Sequence, residues 1–291
     1  MATGPTSRTG STATGGPGSP RSPAATSGPS PSGASPKDSE PVSLDAFYVH
    51  ESFGVDEEER VALAAGLLHA AHAAFAGEFG LSEPPACHVF VPGDWRERAD
   101  VVSALSWRRE AVTRAGLGTL LERLRFEWTA ADGLAEPGGE LEFRAESDDA
   151  VFVDLFSRVL SESLDTTSTR EAARVGSAEQ ARQDVAHLRD LMVGDRSWWR
   201  VAVNRDGETV GFGIPSANLS FPVVGYLGVL PEYRGRGYVD AILVEITRIL
   251  VAEADATTIR ADTDLVNEPM AAAFLRAGYR NHARRLVFSA G

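Results

Sequence analysis

The stretch VLPEYRGRGYVDAIL, residues 229–243, sets Arg234-Gly235-Arg236-Gly237 between an apolar run and an amphipathic one. Backbone amides at the head of a helix have no partner within it, and the helix dipole adds partial positive charge there. Glycines let an anion come close to the backbone. Two guanidinium groups add charges that persist at neutral pH. This is chemistry suited to an anion of two phosphates. The competing reading is a glycine turn with two solvated arginines. The pattern is not the nucleoside-triphosphate loop, which needs Gly-Lys-Ser/Thr after four spacers, nor the dinucleotide fingerprint, which needs a third glycine.

Such a loop works only if a strand delivers it and a helix follows it. PVVGYLGV (222–229) reads as the strand. The helix after it carries Val239, Ile242, Leu243, Ile246, Ile249 and Leu250 on one stripe. TTIRADTD (257–264) is a further strand, EPMAAAFLRAG (268–278) a helix with Pro269 near its start, and HARRLVFS (282–289) a closing strand. Upstream, ELEFRAE (140–146) reads as a strand and residues 148–164 as a helix. Residues 177–192 read as a second helix, with Ser177 as N-cap and Gln180 completing a capping box. Residues 198–214 form a hairpin around Asp206-Gly207. Interleaved strands and helices predict an α/β fold with a mixed sheet.

Residues 112–128 align without a gap on 274–290, an offset of 162 residues. Arg-Ala-Gly, Arg-Leu and Phe are shared, and each copy is preceded by a strand and a long helix. The first copy has SFGVDEEER where the glycine loop would stand. Three units are therefore expected: a low-complexity tail over 1–41, a partial copy over 42–132 and a full module over 138–291. The Gly-, Ser- and Pro-rich tail is expected to be disordered.

The chain has 291 residues, is 43% hydrophobic and has a net charge of −13. That charge argues against a nucleic-acid partner. Lysine occurs once, at Lys37, and arginine supplies the other cations. The skew reads as the codon bias of a GC-rich genome, of the actinobacterial kind. A single cysteine, Cys87, excludes an internal disulfide and fits a reducing cytoplasm. No window is expected to reach membrane-span length and apolarity, and no signal peptide is expected. No metal site is expected: His69 and His72 lie three apart on a helix but lack a third ligand.

GVLPEYRGRGYVDAIL resembles the acetyl-coenzyme A loop of the GNAT superfamily of N-acetyltransferases. Val229, Pro231, Arg234 and Gly237 match the family pattern, and Val239 stands where Gly or Ala is usual. Asn267, Gly278 and Tyr279 match its next segment. The resemblance implies a GNAT-like fold, with a full C-terminal module and a degenerate N-terminal copy. It implies acetyl-coenzyme A as co-substrate, held by Leu227, Gly228, Val229, Arg234, Gly235, Arg236, Gly237, Tyr238 and Val239, with Asn267 and Phe274 beyond. Backbone amides of Leu227, Gly228 and Val229 would hold the pantetheine arm and the oxyanion.

Acetyl transfer to an amine of pKa about 10.4 needs a base, because the amine is protonated at pH 7. The resemblance implies Asp262 as base, Asn267 in the catalytic segment, and Tyr226 as the other base or orienting group. Asp262 and Asp264 share a strand face and could raise each other's pKa; the alternative is pairing with arginines. The family's acid tyrosine is here Phe274, leaving Tyr279 as a substitute or the thiolate to depart unassisted. The expected activity is direct acetyl transfer to a primary amine of a small molecule or peptide, by a monomer or homodimer without membrane partners. A silent coenzyme A-binding sensor is the alternative, and a partner-binding protein with a plain glycine turn is a third reading.

Overall fold

The computed structural model describes residues 43–50, 56–136 and 138–291. The low-complexity tail lies outside the described residues. Nine strands form one sheet in the order β1-β2-β9-β3-β8-β7-β6-β5-β4.

The first part of the chain runs β1 (Ser43–Leu44), α1 (Glu57–Phe79), β2 (Ala86–Pro92), α2 (Ala99–Arg114) and β3 (Thr119–Thr129). Asp56 and Glu59 cap α1 reciprocally, and Gly80 ends it at φ +68°. Glu57, Glu58 and Glu59 fill its first turn. By length and composition α1 does reach what a membrane crossing needs, contrary to the expectation from sequence; much of its apolarity is alanine. Val61, Ala64 and Leu68 are buried on one side of α1, and Trp107 and Ala111 of α2 join the same cluster as Val61 and Ala64.

The second part runs β4 (Glu142–Ala145), α3 (Asp149–Leu160), α4 (Thr166–Val175), α5 (Ser177–Asp190), β5 (Arg200–Val203), β6 (Thr209–Ala217), β7 (Pro222–Val229), α6 (Tyr238–Glu253), β8 (Thr258–Asp264), α7 (Glu268–Arg276) and β9 (Arg280–Ser289). Helix α4 has no counterpart in the sequence reading. The capping box expected at Ser177 does not form. Gly176 is the N-cap of α5, and Gln180 is buried with its amide directed at Asp184 instead.

Helices α6 and α7 pack with Leu124, Phe126 and Ile259 in one core cluster. Cys87, Leu286 and Phe288 pack with Leu68 and Val112 in the neighbouring one. By strand alternation both clusters occupy one face of the sheet. Helices α3 and α5 cover the other face only over β5, β6 and β7, against Val201, Phe212 and Ile214. Beyond them, β3, β8 and β9 carry ion pairs instead of a hydrophobic layer. Arg123 meets Asp264 at 3.0 Å and Asp165 at 3.2 Å. Arg125 and Arg285 meet Asp262 at 3.4 and 2.9 Å.

The parts expected at 42–132 and 138–291 share this one sheet. Strand β3 lies between β8 and β9, and β9 lies between β2 and β3.

Candidate functional site

Strands β7 and β8 run parallel but pair at one position only, Val223 with Arg260. On its other side β7 stays paired with β6 as far as Val229. The strands therefore part beyond Val223, and the β8-facing backbone edge of residues 224–229 has no strand partner. A cavity of about 470 Å³ fills the opening. Its walls include Tyr226, Leu227, Gly228 and Val229 from β7, Asp262 from β8, Glu162, Ser163 and Asp165 after α3, and Asn267 and Phe274 at α7.

The loop after β7 closes one end. Gly235 and Gly237 take φ of +77° and +79°, a region that side chains strain to enter. Gly237 is the N-cap of α6, and no side chain caps that helix. Its first-turn acid, Asp240, is paired with Arg276 at 2.8 Å, so its charge is compensated. The amides at the head of α6 thus adjoin the cavity, to which Gly235, Gly237, Tyr238 and Val239 all contribute. Gly228 is fixed by packing: a Cβ there would stand 2.9 Å from Val159.

The two loop arginines differ. Arg234 reaches across to the end of α3, donating to the carbonyls of Glu162 at 2.9 Å and Val159 at 3.3 Å, and to its own strand at Val229 O. It also pairs with the Glu162 carboxylate at 3.4 Å. Its guanidinium fastens the loop to these carbonyls, and Arg234 also lines the cavity beside Gly235. Arg236 lies over Tyr233 and is not part of the cavity wall. It has no ion-pair partner among the described residues.

Asp262 lines the cavity as expected, but both its oxygens face guanidinium groups, those of Arg125 and Arg285. Asp264 is 1% exposed; it pairs with Arg123 and accepts from the Thr166 amide at 2.7 Å. The two carboxylates are held by arginines, not set against each other. Tyr226 packs on Phe156 and Phe212 with its hydroxyl at Ser163. Burial, then the carboxylates of Asp165 and Asp184, push its phenol well above the usual range. A phenol so held keeps its proton, which removes Tyr226 as a base and leaves it as a donor. Asn267 caps α7, accepting from the Met270 amide at 3.3 Å.

Phe274 is buried, stacked on Phe126 at 4.9 Å, and is one of the residues lining the cavity. Tyr279 is buried and bonded to Thr247 at 2.8 Å, outside the cavity wall. It cannot serve as the substitute acid. Cys87 is fully buried, and burial pushes its thiol up to about 12. Among the described residues no group of His, Cys, Asp or Glu has the spacing of a metal site.

Sequence reasoning missed Asp184. Burial pushes its carboxyl up to about 6, with Asp165 and Glu171 adding to the effect. The signal was present: in α5 Asp184 occupies the same stripe as Gln180, Ala181, Val185 and Leu188, which are buried.

Residues 164–279 match the model of the Acetyltransferase (GNAT) family. Among solved structures, a GCN5-related N-acetyltransferase from Sphaerobacter thermophilus superposes with a TM-score of 0.54 at 16% identity, covering 86% of this chain and 73% of that one. An acetyltransferase of the GNAT family from Colwellia psychrerythraea gives 0.50 at 14% identity, covering 86% and 78%. A tandem GNAT protein from the clavulanic acid biosynthesis pathway gives 0.49 at 16% identity, covering 87% and 76%. No curated protein matches the sequence. At these identities the likeness to the first two structures speaks for the fold alone.

Proposed function

Because residues 164–279 match the model of the GNAT acetyltransferase family, we propose that the chain transfers the acetyl group of acetyl-coenzyme A to a primary amine of a small molecule or peptide. The observation that carries this reading is the parting of β7 from β8 beside the uncapped head of α6. An unpaired strand edge suits the amide-bearing pantetheine arm, and free helix-head amides suit a pyrophosphate.

The co-substrate brings a thioester, whose carbonyl carbon is open to attack. The chain supplies the rest. Amides of Leu227, Gly228 and Val229 lie on the free edge and would take the carbonyl oxygen as it gains charge. Gly235, Gly237, Tyr238 and Val239 would hold the diphosphate, while Arg234 keeps their loop against α3. The amine would enter from the side of Glu162, Ser163 and Asp165, which line the cavity. No cysteine lies in the cavity wall, which agrees with direct attack and no covalent enzyme intermediate. Phe274 is turned into the core, so the departing thiolate takes its proton from the attacking nitrogen. Its pKa, about 8.5, makes it a tolerable leaving group.

The residues of 42–132 fit a reduced copy that has lost its cofactor site. The head of α1, the counterpart of α6, is capped by Asp56 and followed by three glutamates, which would repel a pyrophosphate. The single buried cysteine is in keeping with a cytoplasmic protein.

Calorimetry with acetyl-coenzyme A tests the reading, paired with thiol release over a panel of amines. Micromolar binding to the wild type that disappears in Gly237→Glu supports it. Equal affinity in the two proteins removes it.

A further inference from the structure

Helix α5 turns a carboxylate inward. The Oδ1 of Asp184 accepts from Gln180 Nε2 at 2.8 Å. Its Oδ2 and the Gln180 Oε1 are both buried, and neither has a hydrogen-bond partner among the described residues. Gln180 is itself only 7% exposed. Two neighbouring buried acceptors without a donor are costly, and they define a place for an N–H or O–H group. A water molecule needs such partners to reside inside a protein.

The titratable groups that act on Asp184 come from α4 with its N-cap and from β7. Asp165 precedes α4 and Glu171 lies on it, both raising the Asp184 carboxyl. Tyr226 on β7 feels Asp184 and Asp165 together. Tyr226 and Asp165 are walls of the cavity; Asp184 and Gln180 are not, and Asp184 acts on both wall residues from behind them.

We propose that Asp184 accepts the proton of the incoming amine, through a water held between its Oδ2 and the Gln180 Oε1 on the Tyr226 side of the cavity. The assignment rests on the acetyl-transfer reading and deepens it, because it makes the acceptor a cationic primary amine. The ammonium gives one proton to Asp184 by way of the water. The neutral nitrogen then bonds to the thioester carbonyl carbon, the carbon–sulfur bond breaks, and the second proton passes from nitrogen to sulfur. Protonated Asp184 discharges to solvent after release. Asp262, held by two guanidinium groups, keeps the cavity wall in place. A carboxyl raised toward neutrality is suited to cycle in this way.

The test uses the full chain, ¹³C-labelled at aspartate carboxyl carbons, with acetyl-coenzyme A as donor and 1,4-diaminobutane as the amine. The Asp184 resonance, assigned by its loss in Asp184→Asn, is expected to titrate near 6 and to move when the diamine is added. Thiol release is expected to fall at least about 100-fold in Asp184→Asn and to lose its acid limb, which Asp184→Glu retains. Acetyl-coenzyme A affinity is expected to stay unchanged in both. A resonance that titrates near 4, or that the diamine leaves in place, overturns the assignment; so does turnover at the wild-type rate in Asp184→Asn. Should the asparagine variant not fold, Asp184→Glu supplies the assignment, and without diamine turnover the response of the Asp184 resonance to the diamine decides. Failure of the wild type to bind acetyl-coenzyme A strikes the acetyltransferase reading instead.

Discussion

Arg123 and Arg285 stand directly opposite each other on β3 and β9, and they are 162 positions apart, the offset of the internal repeat. On either side Glu122 faces Leu286 and Leu124 faces Arg284, and these pairs exchange under the same offset. A local twofold axis therefore passes between the two arginines. The strand order obeys it, with β2 answering β8 and β9 answering β3. Like charges facing across strands repel. Here Asp264 and Asp165 serve one arginine and Asp262 serves the other.

The buried arm of this network should be the most sensitive to mutation. Asp264 is fully enclosed and also receives the Thr166 amide. Asp264→Ala leaves Arg123 and that amide short of an acceptor. A loss of roughly 3–5 kcal/mol is expected, with Tm lower by on the order of 10 °C. Differential scanning calorimetry checks it.

Asp262 makes a contrasting prediction. Its carboxylate is tied to Arg125 and Arg285, so Asp262→Asn is expected to alter kcat modestly and to leave the acid limb of the pH profile where it was. A limb abolished by this substitution would restore Asp262 as the base.

Gly237 takes φ +79° at the head of α6. Gly237→Glu strains the turn and places a negative charge at the diphosphate site. The Kd for acetyl-coenzyme A is expected to rise at least about 100-fold, with Tm changing little. Isothermal titration reads the first and thermal melting the second.

Arg234 binds the carbonyls of Val159 and Glu162, so Arg234→Ala frees from α3 the loop that borders the cavity, whose wall Arg234 joins. Affinity is expected to drop about 10-fold, near 1–2 kcal/mol, with little dependence on salt. A steep salt dependence of the lost affinity would show instead that this guanidinium faces the anion directly.

Asp184 links stability to pH. Its folded carboxyl is raised to about 6 from an ordinary 3.8, so the neutral form fits the fold and the charged form opposes it. The benefit is complete below about pH 4 and is lost as pH rises through about 6. Asp184→Asn is therefore expected to be more stable than the wild type above pH 6, by on the order of 1–2 kcal/mol after allowance for partial exposure, and equal to it near pH 4. Urea melts at both pH values check the sign. A gain in stability together with a loss of turnover would mark a group kept for chemistry.

Some of this was legible in the chain. The limits of β7 follow from its apolar run, and the glycine turns at 235 and 237 from the need for positive φ. Helix α4 was not, because TTSTREAARV offers no apolar stripe and is started by Asp165 accepting from the Ser168 amide. Asp184 escaped because residues 177–192 were read from their cap alone, without asking which face of α5 is buried. The pairing of Arg234 with Glu162, and of Arg123 with Asp264, joins residues far apart in sequence, where periodicity carries no information.

The clasp of β3 and β9 bears on how the protein is made. Strand β3 cannot gain its neighbours until residues 258–289 have emerged from the ribosome, and β2, paired with β1, waits for the same segment on its other edge. The early part of the chain must therefore remain open-edged during synthesis. Two polypeptides cut near residue 135 would each be incomplete, and either would find its missing strands only in the other.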